Sequence, residues 1–138
     1  MKKAQRLKLC NRMLLVIAPL VLASSIQLEV TGSRSPAFVW LHMALALGFV
    51  GLALWHISLN LAWGDWFGKF RKAKSPVTRT LWWLFLLTAL SAAVALTHWL
   101  GTQQHSPLGG LHGKIGLAML VIAIGHTLKR IRYFFPKR

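Results

Sequence analysis

The chain has 138 residues, with 17 Lys plus Arg against 2 Asp plus Glu and a net charge of +15, yet 55% of it is hydrophobic. A soluble domain carries roughly a quarter charged residues, against 14% here, and the single Cys10 excludes an intrachain disulfide scaffold. The apolar content excludes a disordered chain. What is left is an integral membrane protein with its positive charge gathered on one side, its partner lipid and not nucleic acid.

Four apolar stretches are long enough to cross a hydrocarbon layer, which takes about 20 helical residues. They run at about 13–30, 37–63, 80–100 and 108–128. Short linkers, Thr31-Gly-Ser-Arg-Ser-Pro36 and Gly101-Thr-Gln-Gln-His-Ser-Pro107, join the first to the second and the third to the fourth. The expected architecture is all-α: one domain over residues 1–138, a transmembrane four-helix bundle of two antiparallel hairpins. Met13-Leu-Leu-Val-Ile-Ala-Pro after a basic stretch also has the look of a secretory signal. Its cleavage consensus is poor, so an uncleaved first helix is expected.

The charges sort with the spans. Lys2, Lys3, Arg6, Lys8 and Arg12 precede the first; Lys69, Arg71, Lys72, Lys74 and Arg79 lie in the middle connection. Lys129, Arg130, Arg132, Lys137 and Arg138 follow the fourth, which puts 15 of 17 on one side. By the positive-inside rule that side is cytoplasmic and holds both termini, as in a bacterial inner membrane. Trp40 and Trp99 fall near the outer interface, and Trp63, Trp66, Trp82 and Trp83 near the inner one.

Six histidines occur, and four of them repeat a pattern. His42 and His56 are 14 residues apart in the second segment, as are His112 and His126 in the fourth. Fourteen steps of about 100° return to within about 40° of the start, and at 1.5 Å per residue they span about 21 Å. Both segments run from outside to inside, which sets His42 level with His112 and His56 level with His126. Two facing imidazoles at two depths suit two haem irons, each held by a histidine on either side of the macrocycle. The residues between agree. Ala46, Phe49 and Ala53 lie between the ligands on one helix, and Gly116, Met119 and Ala123 on the other. Small side chains beside each ligand admit a flat ring, and the larger one midway fills the space between two rings.

Other readings of these histidines fit less well. Single intramembrane histidines hydrogen-bond across helices, but four at matched spacing and depth make a built site. A zinc site wants Cys, a carboxylate or more His at one level, and a proton relay wants intramembrane carboxylates. His98 and His105 read as interfacial. Lys114 and Arg34 near the outer surface, with Asn60 and Arg130 one turn beyond the inner ligands, are candidate partners for haem propionates.

Trp40-Leu-His42 through Trp55-His56, with Gly110-Leu-His112 through Gly125-His126, resembles the four-helix di-haem cytochromes b. That group includes bacterial cytochrome b561 and the b-type membrane subunits of respiratory dehydrogenases and hydrogenases. The stretch His56-Ile-Ser-Leu-Asn60-Leu-Ala-Trp63 is similar to small cytochrome-b561-like domains. The resemblance implies two non-covalent haem b groups, in keeping with the lack of a Cys-x-x-Cys-His motif. It also implies transmembrane electron transfer between an extracytoplasmic carrier and the quinone pool or a partner of the respiratory chain. Two rivals stand beside this reading: a stand-alone quinone- or superoxide-reactive oxidoreductase, and a small non-haem transporter or scaffold, whose site would show broken helices or buried carboxylates.

Overall fold

Ser-Pro steps set where three of the four helices begin. Proline is favoured at the first helical position, where its missing N–H costs no hydrogen bond, and serine caps the turn before it. The computed structural model describes residues 2–31, 35–60, 75–102, 104 and 107–130, Arg130 by its backbone alone. Its helices are α1 (Lys3–Thr31), α2 (Pro36–Asn60), α3 (Pro76–Thr102) and α4 (Pro107–Arg130). The Ser75 carbonyl accepts the Arg79 N–H at 3.1 Å, and its hydroxyl accepts the Thr78 N–H at 3.4 Å. The Ser35 carbonyl takes the Val39 N–H at 3.3 Å in the same way.

All four helices are long and apolar enough to cross a membrane, as a multi-pass membrane protein requires. They are apolar around their circumference. Val16 on α1 is 65% exposed, Leu41 on α2 50%, Leu90 on α3 65% and Val121 on α4 60%. Such surfaces suit hydrocarbon, where helices also satisfy their own backbone groups. Among the described residues the buried apolar side chains are Cys10, Val21, Trp99, Met119 and Leu120, and no buried side-chain nitrogen or oxygen lacks a partner.

The helix ends differ from the apolar boundaries in the sequence. Helix α1 starts at Lys3, ten residues before the apolar run, because Ala4, Gln5, Arg6, Leu7 and Lys8 are good helix formers whatever their polarity. It continues through Pro19, a residue membrane helices tolerate. Helix α3 begins at Pro76, four residues before Thr80, where its cap lies. Helix α2 ends at Asn60; Trp63 and Trp66 lie outside the described residues.

Helices α1 and α2 pack along their length, as do α3 and α4, and α1 also touches α4. Without a hydrophobic force between helices in lipid, close approach at small residues holds such pairs. A Cβ at Gly48 would stand 2.9 Å from Ile17 Cδ1, so α1 lies on the α2 backbone there. Lower on the same seam, the Cys10 thiol donates to the Leu52 carbonyl at 3.4 Å. A Cβ at Gly116 would meet Thr88 Cγ2 at 3.6 Å, and one at Gly113 would meet Glu29 Oε2 at 3.8 Å. Helices α2 and α3 meet through Trp40 and Trp99, ring centres 5.9 Å apart and edge to face at 84°. Trp99 is buried there, 8% exposed, while Trp40 is 51% exposed.

Gly48→Val should force Ile17 aside and loosen α1 from α2, lowering stability by about 1–3 kcal/mol. Gly48→Ala should cost less, because Ile17 Cδ1 ends a rotatable side chain. Unfolding in detergent checks this: Ile17→Ala should recover most of the loss in the Gly48→Val background.

Candidate functional site

The histidine spacing predicts that α2 and α4 present matching rings, and at one level the structure brings them together. The His42 and His112 ring centres are 6.3 Å apart, with planes at 70°. Imidazole nitrogens bind first-row metals at about 2.0–2.1 Å. With the ring centre about 1.1 Å behind each nitrogen, two axial ligands of one metal put their ring centres roughly 6–6.5 Å apart. The separation fits. It also falls in the range of an edge-to-face aromatic pair.

The hydrogen bonds bear on the tautomers. His42 Nδ1 is 2.8 Å from Ser24 Oγ. Where the Ser24 hydroxyl donates its one hydrogen to the Val21 carbonyl, 2.9 Å away, its oxygen accepts from His42, which then carries its proton on Nδ1. His112 Nδ1 lies 3.1 Å from the Thr88 carbonyl, which only accepts, and 3.4 Å from Ser91 Oγ. Ser91 in turn donates to that same carbonyl at 3.1 Å. His112 is thus the Nδ1–H tautomer, His42 is the same in that arrangement of Ser24, and each then keeps its Nε2 lone pair. Metal-bound histidines show this arrangement, in which a carbonyl or other acceptor takes the second ring N–H and fixes the ring's orientation.

The two rings line a cavity of about 440 Å³ between the helices, within the range of small-molecule and cofactor pockets. Of the six intervening residues expected at the site, Ala46, Phe49, Gly116 and Met119 line it. Ala53 and Ala123 do not border it. They lie a turn short of His56 and His126, beyond Val50 and Leu120, the deepest lining residues on α2 and α4. Met119 and Leu120 are 6% and 4% exposed, so a packed layer closes the cavity about midway along the helices.

The third wall is absent from the sequence expectations. Helix α3 contributes Phe85, Thr88, Ala92, Leu96 and Trp99, spaced by three and four along one helix face, with Ala89, Ala93 and Ala95 beside them. The signal was the run Ala89-Leu-Ser-Ala-Ala-Val-Ala95, where small residues recur beside a space, although such residues also serve ordinary helix contacts. Helix α1 adds Val21, Ser25, Leu28 and Glu29.

At the other level, His56 and His126 are half-buried on the same two helices. His56 Nδ1 donates to Asn11 Oδ1 at 2.8 Å, which gives it the same tautomer as His42. Asn60 is exposed and turns back on its own helix. Its amide donates to the His56 carbonyl at 2.7 Å and stands 3.4 Å from His56 Nε2. His98 is exposed and pairs with Thr102, Nδ1 to Oγ1 3.4 Å, outside the cavity. Lys114 is exposed and does not line the cavity. Arg34 and His105 lie outside the described residues, as does the Arg130 side chain.

Among the described residues no three metal-ligating side chains come together, as a structural zinc site needs. His42 and His112 line one largely apolar cavity, and two histidines suit a group that brings its other ligands with it. Comparison with known families, curated proteins and solved structures gives no match.

The cavity itself yields a test. Ala92→Phe should fill it from α3 and lower its capacity to take up a planar, haem-sized group beside His42 and His112. Helix content should stay unchanged. Haem titration of the purified variant with circular dichroism checks both.

Proposed function

We propose that the chain is a transmembrane electron-transfer cytochrome of the b type, resembling the bacterial cytochrome b561 group. It holds two haem b groups between α2 and α4, one on His42 and His112 near the outer surface and one on His56 and His126 near the inner. The carrying observation is the His42–His112 pair: ring centres 6.3 Å apart, both Nδ1 protons held by neighbouring helices, both rings lining one cavity.

Two antiparallel hairpins with cytoplasmic termini complete the reading. The register supports it: Asn11 meets His56, Ile17 meets Gly48 and Ser24 meets His42, so partners on α2 fall in number as those on α1 rise. The 15 basic residues gathered at one end orient the bundle. Helix α1 belongs to the working protein in this reading, since it supplies Ser24 and Asn11 to the ligand histidines.

A haem at each level supplies reversible one-electron exchange at its iron. The residues of the chain do the rest. His42, His112, His56 and His126 would hold the two groups, and a haem held by two histidines would serve electron exchange and not O₂ binding. Ala46, Ala89, Ala92 and Gly116 keep side-chain bulk out of the cavity, while Phe49, Met119 and Leu120 form the apolar layer between the levels. Trp99, with Trp40 against its edge, covers the outer end of the cavity. In a bacterial inner membrane the relay joins an extracytoplasmic redox carrier to quinone or to a partner subunit, with lipid around the apolar helix faces.

Histidine variants test the assignment. His42→Ala or His112→Ala should remove the outer haem and leave about one per chain, and His56→Ala or His126→Ala should remove the inner one. Reduced-minus-oxidised spectra with haem quantification read the outcome. Wild-type chain without haem after expression with ample haem supply would favour a transporter or scaffold. Turnover of quinone or superoxide by the purified chain alone would favour the stand-alone oxidoreductase.

Topology is a separate prediction. Alkaline phosphatase fused in the 32–34 or 103–106 connections should be active, and fused at either terminus or in the 61–74 connection inactive.

A further inference from the structure

We propose that α1 sets the electronic character of both α2 ligands, with Ser24 the positioning residue for His42 and Asn11 that for His56. The inference rests on the haem-ligating role of these histidines and deepens it.

The two contacts are built alike. Ser24 and Asn11 stand on one helix, 13 residues apart, opposite histidines 14 apart. At about 1.5 Å per residue the two intervals differ by a single residue's rise, so one helix serves both levels. Each contact is 2.8 Å to Nδ1. In each an α1 oxygen can accept the Nδ1 hydrogen. Ser24 has spent its hydrogen on the Val21 carbonyl, and Asn11 presents its amide oxygen. A free neutral imidazole can carry its proton on either nitrogen; these acceptors put it on Nδ1 and keep Nε2 as the lone-pair atom.

The two acceptors differ in kind. A hydroxyl oxygen already engaged as a donor faces His42, and a carboxamide oxygen, carrying more partial negative charge, faces His56. A stronger acceptor on Nδ1–H pushes electron density toward Nε2 and stabilises the oxidised metal. Helix α1 therefore grades the two sites, with the Asn11 contact favouring the lower potential at the His56 level. His112 is held instead from α3, by the Thr88 carbonyl and Ser91, so α1 acts on one ligand of each pair.

Two readouts test this. In haem-free protein with ¹⁵N-labelled histidine, the side-chain shifts of His42 and His56 should be those of the Nδ1–H tautomer. Ser24→Ala should move the His42 resonances toward the other tautomer and leave His56 unchanged, Asn11→Leu should do the converse, and Ser24→Thr should restore the wild-type pattern. In haem-loaded protein, Ser24→Ala should raise one midpoint potential and Asn11→Leu the other. Asn11→Asp, with a charged acceptor, should lower the latter. This reversal of sign separates ligand tuning from general loosening of the helix. A tenfold change in the ratio of ferric to ferrous affinity corresponds to 59 mV for one electron.

His42 remaining Nδ1–H in Ser24→Ala, or Asn11→Asp and Asn11→Leu shifting a potential in the same direction, would overturn the proposal. The tautomer measurement needs no haem, so a wild-type chain that takes up none would sink the cytochrome reading and leave the α1–α2 contacts separately measured.

Discussion

An imidazole in hydrocarbon has two nitrogens to satisfy, and water is not there to help. The bundle is arranged around that constraint. Ser24 gives its hydrogen to Val21 and takes one from His42; Thr88 and Ser91 do the equivalent for His112. Serine and threonine within a helix commonly bond back to carbonyls of the preceding turn. Here the back-bond turns each serine hydroxyl into an acceptor aimed at a histidine on the next helix. The site thereby depends on pairing: α2 needs α1, and α4 needs α3. The proposed cofactor would use the nitrogens that this pairing leaves.

That division of labour explains where bulk is missing. Gly48 lies on the seam between α1 and α2, where a Cβ would stand 2.9 Å from Ile17 Cδ1. Ala46, Ala89 and Ala92 line the cavity between the helices and leave it open. Below them Met119 and Leu120 are among the few deeply buried side chains. The cavity is thus bounded by packing and does not run the length of the bundle.

Much of this was legible in the sequence, because a membrane imposes long apolar runs and the helix period converts a 14-residue interval into matched depth. The pairing of His42 with His112 follows from those two rules alone. The helix ends did not follow, since hydropathy marks the span, while Ser75-Pro76 and the helix-forming stretch from Lys3 mark the helix. The roles of Ser24, Asn11 and Ser91 were hidden for another reason. Polar residues inside apolar helices announce no direction until a partner helix is docked against them. The α3 wall was likewise obscured, because alanines read equally as packing surface or as the lining of a space.

The central claim is that two histidine pairs each hold a haem iron from both sides. Electron paramagnetic resonance of the oxidised, purified wild-type protein, with spin quantification, tests it most directly. The account predicts two low-spin ferric centres per chain. The one at His42 and His112 should show the strong anisotropy that ligand planes 70° apart produce. A high-spin centre, a single centre, or no haem signal at all would contradict it.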